Sequence, residues 1–258
     1  MPNLLTGTVT LKFILSNLYL MIKVGCCGFP KKRNEYFNTL PLVEIQQTFY
    51  KPMQDKTAVK MRERAGEEFE FSVKAWQLIT HPPSSPTYRK AGIEVRDEKN
   101  YGFFRPTNEV FEAWEITKRI AEILKAKVVI FQTPKSFKEC KENAENIRTF
   151  FSSLDRRFKY AWEARGWSDE GVKELCNELN LIHCVDPFAN STSTEGIAYF
   201  RLHGSQGKRM YRYRYTENDF EFLRDACRKF EEAYALFNNI YMWEDAVRFK
   251  EFVRTRAC

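Results

Sequence analysis

The sequence predicts an α/β fold, namely a single-domain, closed (β/α)8 barrel of the TIM type with a long loop insertion after the third strand. Eight segments have strand character, and helical patterns separate most of them along the 258 residues of the chain. Strands that alternate with helices form parallel sheets, and eight such units in a chain of this length match a closed barrel. A doubly wound open sheet is the alternative, but no Gly-x-Gly-x-x-Gly turn follows the first strand.

The predicted strands are short runs that are apolar throughout or that alternate apolar with polar residues. They are expected at residues 22–29, 42–50, 69–76, 126–134, 159–165, 181–188, 196–204 and 233–240. The seventh strand has the clearest alternation. Every second residue from Ala198 to Leu202 is apolar, whereas Tyr199, Arg201 and His203 fall on the opposite face.

Helices are predicted between these strands from apolar residues at helical spacing. Capping boxes are expected where Ser136 precedes Glu139 and where Thr216 precedes Asp219, because each pair can satisfy free amide groups at a helix start. The predicted helices cover residues 55–65, 107–125, 136–154, 168–180, 216–232 and 244–254.

One stretch, residues 77–106, does not fit the alternation. It contains Pro82, Pro83, Pro86 and Pro106 and resembles a long loop. Long ordered loops in compact domains usually have a function. After the third strand of a barrel, this loop would rise from the C-terminal rim and could cover the site.

The net charge of +7 favours anionic partners such as nucleic acid, phosphorylated metabolites or a membrane surface. A basic surface that only keeps the protein soluble is the alternative. The seven cysteines are odd in number and form no Cys-x-x-Cys pair, which indicates neither a disulfide framework nor a thiolate zinc site. This cysteine usage suggests a reducing, cytoplasmic location.

Residues 1–20 are expected to be a leader or upstream extension outside the fold, and residues 21–258 to form the barrel domain. The leader is partly apolar but has no charge before Lys12, and Ser16 and Asn17 interrupt its apolar run. It is therefore a poor signal peptide and is short for a membrane span. A short docking segment or membrane anchor is the alternative.

Polar residues occur near the ends of nearly all predicted strands, on the face opposite the apolar one. In a β/α barrel the C-terminal strand ends form the active site, and a purely structural interior would consist mostly of branched aliphatic residues. We therefore expect an active or binding site there, with an interior salt-bridge network as the alternative. The polar residues are Glu44, Gln46, Thr48, Ser72, Lys74, Gln132, Glu163, Arg165, Asp186, Arg201, His203, Asn238 and Asn239.

The candidate acid–base residues are Glu44, Glu163, Asp186 and His203, since paired acids and histidine suit proton transfer. The cations Lys74, Arg165 and Arg201 suit a phosphate or carboxylate ligand, and arginine can bind either through its bidentate fork. The four candidate acid–base residues could instead hold Mg²⁺ or Mn²⁺. A structural ion pair is the alternative for each Glu–Arg pairing.

A basic, aromatic run at residues 208–215 follows the seventh strand. Tyr211, Tyr213 and Tyr215 alternate there with arginines, and aromatic rings among cations suit stacked bases and phosphates. The alternative is a solvated rim loop whose tyrosines pack on neighbouring helices. Nucleophilic catalysis has little support, because the chain has no Gly-x-Ser-x-Gly elbow.

Several short motifs together resemble the YecE-like proteins, a domain of unknown function numbered seventy-two. They run in order over nearly the whole chain from Met21 onward: GCCGF at 25–29, VEIQQTFY at 43–50, FSVKA at 71–75, TH at 80–81, IFQTP at 130–134, WEAR at 162–165, YFRLHG at 199–204 and FNN at 237–239.

This resemblance implies a TIM-type barrel and adds His81 to the site, but it supplies no established reaction. The chain departs from the family pattern at Gln46, where the family has asparagine, and at Phe29, where it has tryptophan. It also has Thr133-Pro134 where the family favours two prolines. These differences suggest a divergent member.

The resulting expectation is an enzyme, of hydrolase or isomerase type, that acts on a phosphorylated or anionic substrate at the C-terminal rim. A nucleic-acid-binding barrel and a non-catalytic small-molecule-binding protein are the alternatives. The expected substrate-binding residues are Gln46, Lys74, His81, Gln132, Arg165, Arg201, Tyr211, Asn238 and Asn239.

Overall fold

The computed structural model describes residues 22–204 and 210–255. The expected leader, residues 1–20, and Lys208 and Arg209 of the basic run lie outside the described residues. The strands are β1 (Ile22–Cys27), β2 (Leu42–Ile45), β3 (Glu70–Lys74), β4 (Val128–Gln132), β5 (Lys159–Glu163), β6 (Ile182–Val185), β7 (Ile197–Leu202) and β8 (Glu232–Phe237).

The helices are α1 (Arg33–Thr39), α2 (Gln47–Tyr50), α3 (Asp55–Ala65), α4 (Gln77–Thr80), α5 (Pro86–Ala91), α6 (Asn108–Ile123), α7 (Lys141–Ser152), α8 (Asp169–Leu179), α9 (Glu217–Cys227) and α10 (Met242–Thr255). Two short 3₁₀ helices, Glu98–Asn100 and Met210–Arg212, lie in loops. In the described part of the chain, no helix is long and apolar enough to cross a membrane.

The eight strands form a closed parallel barrel in chain order, so the predicted fold class is confirmed. Strand β1 closes the barrel by pairing with both β2 and β8, with Cys27 beside Glu44 and Cys26 beside Phe237. Inside the barrel, a small apolar cluster includes Ile130 and Tyr199. The opposite strand faces pack against the surrounding helices in the larger core.

The predicted alternation of β7 is confirmed. Ala198, Phe200 and Leu202 belong to the core between strands and helices, whereas Tyr199 belongs to the barrel interior. The capping box of Thr216 with Asp219 is also confirmed at the start of α9.

Three details of the predicted elements were wrong. Strand β2 ends at Ile45, because the chain turns into the helical region at Gln46 and forms the single turn α2. Helix α7 begins at Lys141 rather than at Ser136, and Glu139 accepts a hydrogen bond from the Ser168 amide (2.8 Å) instead of closing a capping box. Helix α1 was not predicted; among its residues Tyr36 is the buried one, so it lacks an apolar stripe.

The insertion at residues 77–106 contains α4, α5 and the first 3₁₀ helix; its two ends are hydrogen-bonded to each other, and Phe104 packs it onto the barrel. The Gly102 amide donates to the Leu78 carbonyl (2.8 Å), and the Phe104 amide donates to the Ile79 carbonyl (2.9 Å). The fully buried Phe104 ring packs on Phe131 and Phe137. The insertion is therefore a packed part of the fold.

A charged cluster lies at the N-terminal mouth of the barrel. Lys23 forms salt bridges of 2.5 Å with both Glu70 and Glu232, and Lys159 also pairs with Glu232. Tyr234 donates a hydrogen bond to Glu232 (3.0 Å). Because these charges satisfy one another, the cluster fits a structural role.

Candidate active site

Arg201 lies at the centre of the C-terminal half of the barrel. It is 1% exposed, and its guanidinium connects two carboxylates that come from distant parts of the chain. Nη2 lies 3.1 Å from Glu44 Oε1, and Nη1 donates to Glu163 Oε2. Burial alone would lower the pKa of Arg201, but the neighbouring carboxylates raise it well above its usual value. Arg201 is therefore a fixed positive charge inside the barrel.

Glu163 is the most heavily bonded carboxylate of the site. Its Oε1 accepts from Arg165 Nη2 (2.6 Å) and Nε (3.0 Å) and from Gln132 Nε2 (2.8 Å), while Oε2 accepts from Arg201. Burial alone would raise the pKa of Glu163, but the positive charges of Arg201 and Arg165 outweigh it and hold the pKa below the usual range. A carboxylate held this firmly in its ionised form orients arginines better than it accepts protons.

Glu44 lies deeper and is fully buried. Its Oε2 accepts from the Tyr199 hydroxyl (2.8 Å), and its Oε1 accepts from Gln46 Nε2 and faces Arg201. The Ser72 hydroxyl lies 2.7 Å from the Tyr199 oxygen and extends the chain of hydrogen bonds. The structure thus places Glu44 beside Arg201 and Gln46 beside Glu44.

Lys74 and Gln132 extend the polar network from Glu163 toward β3. Lys74 is 6% exposed, and its Nζ donates to Gln132 Oε1 (2.8 Å) and lies 3.9 Å from the centre of the Phe49 ring. Burial and the positive charge of Arg201 lower the pKa of Lys74 to about 7. The Lys74 carbonyl accepts from the Thr48 hydroxyl (2.6 Å), so Thr48 serves as a backbone anchor and not as a site group.

His81, at the start of the insertion, lies close to this network. Its Nδ1 is 2.8 Å from the Thr80 hydroxyl, and its ring meets Phe49 edge-on with 4.9 Å between the ring centres. Burial and the charges of Lys74 and Arg165 lower the pKa of His81 to about 3. His81 is therefore neutral at physiological pH and suits hydrogen bonding.

Asp186 and His203 form a second polar group beside the arginines. Asp186 Oδ2 accepts from the backbone amide of His203 (2.8 Å) and lies 3.4 Å from His203 Nδ1, and Asp186 Oδ1 accepts from the Phe188 amide (3.1 Å). The carboxylate therefore lies beside the imidazole, where an acid can orient a histidine for proton transfer. The Tyr211 ring, half exposed, stands edge-on to His203 with 5.8 Å between the ring centres.

An open cleft of about 470 Å³ brings part of the predicted site together. Its walls come from the loops after β4, β5, β6 and β7 and include Glu163, Arg165, Asp186, His203, Tyr211 and Trp167. The side chain of Arg165 is 39% exposed, so one face of its guanidinium can meet a ligand. No residue of the described insertion between 82 and 106 lines this cleft, so the insertion packs beside the cleft instead of covering it.

The two asparagines after β8 have other neighbours. Asn239 is buried, and its Nδ2 donates to Asp245 Oδ2 (2.9 Å) and to the Tyr213 carbonyl (2.7 Å). The Asn238 amide donates to the Leu202 carbonyl (2.8 Å), which extends the pairing of β7 with β8. These contacts give Asn239 a role in holding the loop after β7 against the start of α10.

Two of the carboxylates predicted as ligands of Mg²⁺ or Mn²⁺, Glu44 and Glu163, are paired with arginines. Arg201 occupies the space between Glu44 and Glu163, and Arg165 takes the remaining oxygen of Glu163. Within residues 22–204 and 210–255, no group of three or more His, Cys, Asp or Glu side chains is arranged to hold a metal ion.

Sequence reasoning missed two contributors. Phe49 lies under Lys74, and Tyr199 links Ser72 to Glu44. Tyr199 could have been found, because it shares the interior face of β7 with Arg201 and His203. Phe49 could not, because the turn α2 that carries it was predicted as strand.

The family model described as "Protein of unknown function DUF72" matches residues 28–257 of the chain. The chain belongs to this DUF72 family. The resemblance inferred from the short motifs is therefore confirmed. A comparison with curated proteins found no match.

Solved structures of the DUF72 family share the barrel. One from Enterococcus faecalis V583 is 19% identical with a TM-score of 0.70, covering 90% of this chain and 97% of that chain. Another from Thermotoga maritima MSB8 is 22% identical with a TM-score of 0.64, covering 90% of this chain and 99% of that chain. A xylose isomerase domain containing protein from Salmonella typhimurium LT2 is 12% identical with a TM-score of 0.53, covering 93% of this chain and 95% of that chain. At these identities the likeness shows the fold alone.

Proposed function

We propose that this DUF72 family member is an enzyme that acts on a phosphorylated or otherwise anionic substrate bound in the cleft at the C-terminal rim. The observation that carries the proposal is the convergence of three groups on one cleft. A partly exposed arginine, Arg165, lines it together with the neighbouring side chains of Asp186 and His203. An anion-binding group beside an imidazole is the minimum that proton-transfer chemistry on an anionic substrate requires.

Each group has a distinct role in this proposal. Arg165 binds the anion, and Glu163 holds its guanidinium in place through two hydrogen bonds. His203 transfers the proton, with Asp186 orienting its ring. Tyr211 stands at the cleft wall beside His203 and packs on the substrate. Glu44 and Arg201 act as positioning residues beneath them.

Hydrolysis and isomerisation both use such a pair, and isotope incorporation separates them. Isomerisation by proton transfer carries solvent deuterium into a carbon position of the product, whereas hydrolysis carries oxygen-18 from water into the product. Replacing His203 by glutamine should lower kcat about 10²- to 10⁴-fold, the usual contribution of a general acid–base group, with little change in KM.

The test begins with a thermal-shift screen of the wild-type protein against sugar phosphates, nucleoside monophosphates and inorganic phosphate. Arg165→Ala should weaken binding of any ligand found by about 10- to 100-fold, because hydrogen bonds to a charged group contribute about 1.5–3 kcal/mol. Arg119→Ala is the matched control, since Arg119 is 59% exposed and pairs with Asp55 on the outer helical layer. Equal binding by the two alanine variants would reject the proposed anion site. Binding without turnover would instead favour the non-catalytic alternative.

A nucleic-acid-binding barrel is the second candidate, and a basic, aromatic rim sector supports it. Arg214 lies over the Tyr241 ring (5.7 Å) and Lys31 over the Trp243 ring (6.0 Å), and Arg212 is exposed nearby. Cations interleaved with aromatic rings suit the backbone and bases of a single strand. The exposed carboxylate of Glu244 opposes this charge.

Salt dependence tests this candidate. Binding of single-stranded DNA should weaken with rising salt, and the slope of log affinity against log salt measures how many phosphates the protein neutralises. Arg212→Ala combined with Arg214→Ala should reduce that slope by about 0.7 for each phosphate that is no longer neutralised. A slope that is flat, or that is the same in the double variant, would rule out this surface.

A further inference from the structure

Lys74 is a buried lysine whose side-chain hydrogen-bond partner is a neutral amide. Its Nζ has one oxygen acceptor, Gln132 Oε1 at 2.8 Å, and the face of the Phe49 ring at 3.9 Å. Among the described residues it forms no salt bridge with a carboxylate. An ammonium group has three N–H donors, and leaving donors of a buried charge unpaired is costly.

The reason lies in how the nearest carboxylate is used. Both oxygens of Glu163 already accept hydrogen bonds from arginines, Oε2 from Arg201 and Oε1 from Arg165. Gln132 stands between Glu163 and Lys74, because its Nε2 donates to Glu163 and this leaves only the amide oxygen for the lysine. The amide is a neutral spacer that keeps the amine out of direct contact with Glu163.

A partly buried lysine, Lys23, shows the contrast. Lys23, at the opposite mouth of the barrel, lies 2.5 Å from Glu70 and 2.5 Å from Glu232. Burial alone would lower the pKa of Lys23, but its two carboxylates outweigh burial and raise it. For Lys74, burial and the positive charge of Arg201 outweigh the more distant carboxylates of Glu163 and Glu44, and the pKa falls to about 7. Near neutral pH, Lys74 therefore has a large fraction of uncharged amine with a free lone pair.

We propose that Lys74 is an amine nucleophile that forms an imine with an aldehyde or ketone. The nitrogen lone pair attacks the carbonyl carbon, and the carbonyl π electrons move to oxygen. The resulting carbinolamine loses water, which carries away the carbonyl oxygen and the two hydrogens of the amine, and a C=N bond forms. No oxidant or further reactant is needed. Desolvated lysines are the residues that perform this chemistry in proteins.

This inference goes beyond the proposed function, since it gives a second reactive group to the same half of the barrel. It assigns Lys74 to covalent chemistry instead of the anion binding expected from its charge. Arg165 would bind the anion. Its guanidinium donates to Glu163 Oε1, which also accepts a hydrogen bond from the Gln132 side chain. Gln132 in turn contacts Lys74. The substrate class that satisfies both features is a carbonyl compound that carries an acidic group.

Reductive labelling of the wild-type protein tests the inference without knowledge of the substrate. The probe is glyoxylate, a small anionic aldehyde, with cyanoborohydride to trap any imine, and peptide mass mapping gives the labelling rate at each lysine. At pH 7 an ordinary lysine has about three orders of magnitude less free amine than one with a pKa near 7. Lys74 should therefore be labelled at least about 10-fold faster than exposed lysines, and Lys23, a partly buried control whose pKa is raised, should stay unlabelled. Raising the pH to about 10 should remove the advantage.

A variant separates amine reactivity from access. Gln132→Glu places a carboxylate at the spacer position and supplies the missing counter-charge, so labelling of Lys74 at pH 7 should fall at least about 10-fold and recover at higher pH. Circular dichroism and melting curves check that this variant folds. The inference is wrong if Lys74 in the wild type is labelled no faster than exposed lysines at pH 7, or if Gln132→Glu leaves its rate unchanged. Neither result depends on the outcome of the phosphorylated-metabolite screen.

Discussion

Replacing Arg201 with methionine is the sharpest perturbation of the barrel interior. Methionine keeps much of the side-chain volume but removes the charge between Glu44 and Glu163. Glu163 would retain Arg165 and Gln132 as partners. Glu44 would retain only neutral ones among the described residues, because Arg201 is the one described cation that pairs with it. The main consequence is therefore a fully buried carboxylate without a counter-charge.

The expected cost follows from that single orphaned charge. Breaking a buried ion pair by removing one partner costs about 3–5 kcal/mol, so Arg201→Met should lower the free energy of unfolding by that amount at pH 7. Adding Glu44→Gln removes the orphaned charge while an amide can still meet Tyr199. The double variant should therefore be more stable than Arg201→Met alone, and the two substitutions should show a coupling energy of about 2 kcal/mol or more.

Equilibrium unfolding in urea, followed by tryptophan fluorescence and by far-UV circular dichroism, measures both quantities. Coincident transitions from the two probes are needed for a two-state treatment. The reasoning would be refuted if the effects of Arg201→Met and Glu44→Gln simply add. Additivity would mean that the two side chains do not depend on one another inside the barrel.

Three further predictions concern the same half of the barrel. The pKa of Glu163 is lowered in the folded state, so its contribution to stability is present above about pH 4.3 and is lost as the pH falls below that value. Glu163→Gln should therefore make the free energy of unfolding depend less on pH in the acid range. Folding lowers the pKa of Lys74 from 10.5 to about 7, so the unfolded chain binds more protons than the folded one between these pH values. The free energy of unfolding should therefore rise across this range by on the order of 3–5 kcal/mol. Urea unfolding at several pH values should show this rise in the wild type and not in Lys74→Met. Gly102→Ala should lower the melting temperature far more than Gly92→Ala, although both glycines have positive φ. A Cβ at Gly102 would lie 2.3 Å from the His81 carbonyl oxygen, whereas a Cβ at Gly92 would meet open space.

Much of the fold could be predicted because barrel strands have a strict period. Tyr199, Arg201 and His203 share a face for the same reason that Ala198 and Phe200 share the other one, and no tertiary information was required. The parts of the fold that were predicted wrongly are short segments with local turns. The turn at Gln46 depends on the Thr48 hydroxyl, which donates to the Ile45 and Lys74 carbonyls, and the second of these contacts exists only once β3 is in place.

The candidate site was predictable as a set of residues but not as a set of roles. Glu44, Glu163 and Asp186 look alike in the sequence, yet one is buried beside Arg201, one is held by two arginines, and one lies beside a histidine at the open cleft. These differences arise from burial and from which cation reaches which oxygen. Neither is encoded in strand alternation.

A crystal structure of the protein with tungstate, a phosphate analogue that anomalous scattering can locate, tests the central claim most directly. Tungstate is expected in the cleft within hydrogen-bond distance of the Arg165 guanidinium and beside His203, and it should be absent from that position in Arg165→Ala crystals. Tungstate bound only to the outer rim at Lys31, Arg212 or Arg214, or unchanged in the cleft of the variant, would contradict that claim.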